Sequence, residues 1–229
     1  SEQPSQEPSK EGRKQKKGSE KDTALKLFGC SSYQTRSFRG KADPLNPGNT
    51  LDGYICKKEG NMGGSLYITQ VNNKKLPKPE LVYGTPKLVY PYKDFDSYDY
   101  LDFSTFSTCT SFLLSNKWNG VNILFFKYHD AEGHEFISAK SKGAVFLSNT
   151  PFGDFLTMTA EALKLKQGQT LSAQKPPPVL RDLANPNVQC MSCELCGQRE
   201  PHLVAYNFEL ELKPLFLIHQ NGKISPCII

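Results

Sequence analysis

Two hydrophobic periods run through the chain, and the elements can be marked off where one gives way to the other. Residues 121–128 (VNILFFKY) are apolar and aromatic enough for a buried strand, while 134–139 (HEFISA) alternates like a half-buried return strand. The polar HDAEGH that joins them contains Gly133 and predicts a turn. Residues 116–143 therefore read as one β-hairpin, entered at Lys117 and left at Lys140 and Lys142. Short apolar runs at 25–30, 54–56 and 65–71, separated by DPLNPGNT and EGNMGG, predict short antiparallel strands. Residues 81–92 (LVYGTPKLVYPY) predict two strand pieces about a Gly-Thr-Pro break. Within 152–166, Phe155, Met158, Ala162 and Leu165 recur at helical spacing and predict an amphipathic helix. A polar, proline-rich loop at 167–179 ends it. Beyond that loop, the stretch around Glu194 and the alternating PHLVAYNFELELKPLF predict further strands, and Asn221-Gly222 predicts a tight hairpin turn. Together these elements make an α+β fold of antiparallel strands with few helices.

Residues 1–22 carry no apolar side chain beyond proline, so the segment cannot offset the entropy of ordering itself. It is expected to be a disordered charged tail ahead of one domain at 23–229. Arg13-Lys14-Gln15-Lys16-Lys17 inside it stays open between a nuclear address, a phosphate-grasping arm and a solvated charge run. The 229-residue chain has 38% hydrophobic and 22% charged residues and a net charge of +5, an ordinary globular balance leaning towards polyanions. Its apolar runs fall short of the roughly 18 residues of a membrane helix, and no secretory leader is recognised. Seven cysteines, an odd number at irregular spacings, argue for reduced thiols inside the cell, in cytoplasm or nucleus.

A lysine on a strand beside buried apolar surface loses solvation, which lowers its pKa and frees the amine as a nucleophile near neutral pH. The hairpin offers Lys117, Lys140 and Lys142 for that role. Lys117-Trp118-Asn119-Gly120, then Lys140-Ser141-Lys142-Gly143, then Cys193-Glu194-Leu195 running into PHLVAYNFELELKPLF, resemble in that order motifs I, Ia, III and IIIa of the phage-type ATP-dependent RNA ligases. The resemblance covers about residues 83–225.

That resemblance implies a nucleotidyltransferase domain in which Lys117 attacks the α-phosphorus of ATP, expels pyrophosphate and carries lysyl-AMP. Magnesium would be the metal, and RNA 5′-phosphate and 3′-hydroxyl ends the substrates sealed. It also implies that Asn119, Gly120, Lys140, Lys142 and Glu194 hold the nucleotide. Asn119 stands where the family usually carries Asp, Gly120 leaves room, Lys142 contacts phosphate and Glu194 accepts a hydrogen bond from ribose. Cys193 replaces the aromatic residue that usually precedes that glutamate. Related ligases use an upstream arginine on the triphosphate, and Arg36 and Arg39 stand open between that role and a solvated polar loop. Lys87 stands between pointing into the nucleotide pocket and, the preferred reading, an edge-strand lysine that deters pairing.

The family's motif IV glutamate and motif V lysine pair are not found before Ile229, so the domain is expected to be incomplete at its C-terminal edge. On this reading the chain is a fragment of a ligase or an inactive relative. The alternatives are a non-catalytic nucleic-acid-binding or scaffold module on the same fold, a DNA ligase or a capping enzyme. Cys190, Cys193 and Cys196, with His202 nearby, have spacing that zinc could use, but residues three apart on a strand point to opposite faces. Free thiols are expected instead of a metal site. The aspartates of 94–102 would repel a phosphate backbone, so that loop is not expected to bind nucleic acid.

Overall fold

The computed structural model describes residues 11–88, 107–200 and 204–227. The acidic loop at 94–102, the second strand piece expected near residue 90, and His202 lie outside the described residues.

Strands β1 (Thr35–Ala42), β2 (Thr50–Cys56), β3 (Leu66–Val71) and β4 (Lys74–Val82) form one antiparallel sheet in that order. A second antiparallel sheet contains β5 (Val121–His129), β6 (Glu135–Lys140), β7 (Val188–Cys196), β8 (Glu211–His219) and β9 (Ile224–Pro226), in the order β6-β5-β7-β8-β9. Helices α1 (Glu11–Phe28) and α2 (Phe155–Ala162) and the 3-10 turns Ser32–Gln34 and Pro178–Ala184 complete the described architecture. The fold is α+β, mostly antiparallel sheet with few helices.

The apolar run of β5 follows from burial on both faces. Ile123 and Phe125 point to one side, where Ile137, Met191, Cys193 and Leu195 meet Met158, Leu180 and Leu183. Leu124, Phe126 and Tyr128 point to the other, into a core shared with Leu51, Ile55, Leu66, Ile68 and Val82 of the first sheet. A strand covered twice cannot alternate, because neither set of side chains sees water. Each apolar side chain fully buried there contributes about 2 kcal/mol, which is why the two sheets stay together.

Polar ties cross the same seam. Asp43, just after β1, accepts hydrogen bonds from Tyr128 Oη of β5 at 2.5 Å and Ser138 Oγ of β6 at 2.6 Å, and from the backbone amide of Leu45 at 2.9 Å. Gln189 donates to Leu81 O at 2.7 Å and accepts from the Tyr83 amide at 3.0 Å, joining β7 to the end of β4. His129 lies between Glu80 of β4 and Glu135 of β6, 2.9 Å from each carboxylate.

The segments 25–30 and 36–39 behave differently from expectation. The first ends α1, a helix that begins at Glu11 inside the stretch expected to be a disordered tail. Its buried anchors, Ala24 and Phe28, are one helical turn apart and pack on Cys56 and Tyr67, which docks the C-terminal end of the helix on the sheet. Arg36 and Arg39 lie on β1, not in a loop, with exposed side chains. Strand β4 runs through Pro77 and Pro79, because an edge strand tolerates missing donors.

Candidate functional site

A glycine turn shapes a cavity lined by four lysines. Residues 57–65 (KKEGNMGGS) join β2 to β3, and Gly64 holds φ +81° there. A Cβ on Gly64 would sit 2.0 Å from the carbonyl oxygen of Lys142, so only glycine lets this turn lie against the 141–143 turn that leaves β6. Between the two turns lies a cavity of about 410 Å³ lined by Lys57, Lys58, Lys87, Lys142, Gly63 and Gly64. Lys57 Nζ donates to Gly143 O at 2.5 Å and Lys58 Nζ to Gly29 O at 3.1 Å, whereas the side chains of Lys87 and Lys142 are exposed. Converging cations of this kind raise the local concentration of anions and suit phosphate groups.

Lys140 stands behind that wall. It pairs with Leu124 on β5, is fully buried, and donates from Nζ to Ser141 O at 3.0 Å and Lys142 O at 3.2 Å. Burial lowers its pKa to about 7, with the Cys190 thiol opposing the shift and the Lys57 cation adding to it. Lys127 is the second buried strand lysine. Its Nζ faces the other side and donates to Leu183 O and Asn185 O at 3.0 Å each, closing the Pro178–Ala184 turn.

A polar row continues from the cavity along the same face. Thr85, two residues before Lys87, donates to Asn122 Oδ1 at 3.1 Å, and Asn122 Nδ2 donates to Ser192 Oγ at 2.7 Å. Strand register then sets Asn122 of β5 beside Glu194 of β7, and Glu194 beside Lys213 of β8. Glu194 is half-buried within this row.

Lys117 is placed otherwise than the desolvation argument expects. It precedes β5 in a loop, its side chain is exposed, and it does not line the cavity. Solvation therefore falls away at Lys140 rather than at Lys117. The neighbouring Trp118 is half-buried against Tyr206 and Phe208, with centroids at 5.7 and 6.3 Å, and Lys213 Nζ lies 4.6 Å from its ring centre. The Asn119 amide donates to Tyr206 Oη at 2.8 Å, and its side chain turns back to Lys117 O. A Cβ on Gly120 would lie 2.0 Å from Leu195 O, so this glycine is needed for contact with β7, a nearer constraint than room for a nucleotide. The structure thus brings Lys140 and Lys142 to the cavity, sets Asn119, Gly120 and Glu194 at the same end of β5, and leaves Lys117 outside.

Lys57 and Lys58 were not singled out by the sequence as site residues, and a pocket role for Lys87 was the less favoured of its two readings. Lys87 is on no strand, so its reading as an edge-strand lysine is corrected to cavity lining. The available signal was the pair of lysines leading into a Gly-Gly turn, whose meaning depends on a contact 80 residues away in the chain. Cys190 and Cys193 point to opposite faces of β7, one into each core, and all three thiols of this strand are free and buried. Among the described residues, potential metal-ligand atoms gather at Asp130, Glu132 and His134. That turn follows β5, about 30 Å of strand from the Lys117 end, and Asp130 Oδ1 already accepts the amides of Glu132 and His134. This group does not fit a magnesium serving the lysine cavity. No helix among the described residues is long and apolar enough to cross a membrane.

Comparison with known proteins identified no matching family model, curated protein or solved structure.

Proposed function

We propose that the chain is a nucleotidyltransferase domain of the RNA-ligase kind, in which the lysine cavity receives the phosphates of ATP and Lys117 receives the adenylyl group. The observation that carries this reading is the convergence of lysines from three distant segments on one cavity, beside a polar row headed by Asn122 and Glu194. Lys142 and Lys87 present charge to phosphate, and Lys140 gains its proton back as an anion approaches. Glu194, in the row that Asn122 and Thr85 build, supplies the carboxylate that this reading assigns to the ribose.

The chemical step forms a bond from Lys117 Nζ to the α-phosphorus and breaks the bond from that phosphorus to the pyrophosphate oxygen. The proton that Nζ sheds as the new bond forms passes to water, and the side chain lies outside the cavity. The loop ahead of β5 must therefore close over the cavity for the amine to reach phosphorus. RNA ends are the acceptors in this reading, and their binding weakens as salt rises.

The test is incubation of the protein with α-labelled ATP and magnesium, followed by denaturing separation. In the full-length protein, label should attach and be lost in Lys117→Ala and Lys117→Arg, since a guanidinium supplies no nucleophilic lone pair, while residues 1–229 alone should take up little or none. Label that persists in Lys117→Ala overturns the assignment. A second reading, a polyanion-binding module without catalysis, is favoured by the exposure of Lys117 outside the cavity. ATP binding that needs Lys87 and Lys142 but never yields label would select it.

A further inference from the structure

Helix α1 is held to the first sheet at a point where two thiols meet. Thr35 of β1 and Cys56 of β2 are register partners, and the Lys57 amide donates to Gln34 O at 2.7 Å. That bond flanks the pair, so Thr35 and Cys56 form a non-hydrogen-bonded pair, the kind whose side chains stand closest, with Cα atoms about 4.5 Å apart. Cys30, two residues past the end of α1, places Sγ 3.0 Å from Thr35 Oγ1. Cys30 also packs against the small apolar cluster to which Cys56 belongs. Cys56 is buried at 1% exposure, whereas Cys30 is half-buried and reachable from solvent. The pair is packed by Ala24, Phe28 and Tyr67.

We propose that Cys30 and Cys56 form a reversible redox pair, in which a peroxide converts the two thiols into a disulfide that staples α1 to β2. Cys30 is the attacking residue because it is the accessible one. Its thiolate attacks one peroxide oxygen, the O–O bond breaks, and Cys30 becomes a sulfenic acid as the other oxygen leaves as water. The Cys56 thiolate then attacks the Cys30 sulfur and displaces the hydroxyl, which leaves as a second water. Two thiols lose two electrons, and one hydrogen peroxide is reduced to two waters. A dithiol reductant reverses the change. The staple bears on the lysine cavity, because Cys56 is on its wall and Lys58 is hydrogen-bonded to Gly29, the residue before Cys30.

The test uses the full chain with exposed Cys109 replaced, Cys109→Ser, to suppress intermolecular bridging. After treatment with hydrogen peroxide, alkylation and digestion, mass spectrometry should find one disulfide-linked peptide pair, Cys30 to Cys56, that dithiothreitol reopens. The oxidised protein should melt roughly 5 °C or more above the reduced one, as expected for a cross-link closing a loop of this length. In Cys56→Ser, dimedone should trap a sulfenic acid at Cys30. The proposal is overturned if both thiols are recovered alkylated after peroxide, if Cys30 is oxidised with Cys56 still free, or if the bridge joins another pair such as Cys193 and Cys227.

Discussion

Lys140 keeps its amine among carbonyl oxygens, and this has a measurable signature. Its pKa is about 7 in the folded chain against an ordinary 10.5, so between these values the unfolded chain holds a proton that the native protein has released. The unfolded state binding more protons means stability rises with pH across that window. Relative to Lys140→Met, the wild-type chain should therefore gain stability from pH 7 to 10.5, by an amount on the order of a few kcal/mol. Urea unfolding of both proteins across the window checks it, and a flat difference would mean the amine is solvated. Gly64 is the other residue on which the cavity depends. Gly64→Ala combines a left-handed φ with overlap on Lys142 O, and should cost about 2 kcal/mol in stability and weaken tripolyphosphate binding measured by calorimetry.

At the scale of elements, the contact of β4 with the β5–β6 hairpin depends on the charge of His129. Its pKa is raised, chiefly by the hydrogen bond to Glu80, with Glu135 adding to it and burial opposing. A raised histidine pKa gives stability that is complete below the unfolded value near 6.5 and is lost as pH rises through the folded value. The difference between wild type and His129→Gln should therefore shrink above pH 6.5, read by thermal melts. The sign is opposite to that of Lys140, so the two variants separate the groups. The hairpin itself was legible in the sequence, because its apolar runs and its Gly133 turn are local signals. So were β7, the Asn221-Gly222 turn and α2, which spans Phe155–Ala162 within the expected 152–166. Helix α1 was not, because only Ala24 and Phe28 of its apolar side chains are fully buried and its charge resembles a solvated tail. Strand β4 was hidden by its prolines, and among the described residues of the expected strand segment at 201–216 the strand begins at Glu211. The loop at 167–179 is largely exposed as expected, yet Leu171 and Ala173 reach the core. The candidate site was half legible: Lys140, Lys142 and Glu194 belong to local patterns, while Lys57, Lys58 and Lys87 arrive through packing between sheets.

Over the whole molecule, the two sheets are joined by the core between them and by a buried carboxylate. Asp43 is 3% exposed and accepts from Tyr128 and Ser138 across the seam. Asp43→Ala would leave those hydroxyls buried without an acceptor and should cost about 3 kcal/mol. The loss should appear as a lower midpoint of a single unfolding transition, since both sheets contribute side chains to the core between them. Two separate transitions in the wild-type chain would show that the seam is not cooperative. Trp118 is the only tryptophan in the sequence, and it is clipped between Tyr206, Phe208 and Lys213 beside Lys117. The protein thus carries its own optical reporter: all of its indole emission originates in the loop that would have to move, and a spectral shift on adding ATP would time that closure without any label.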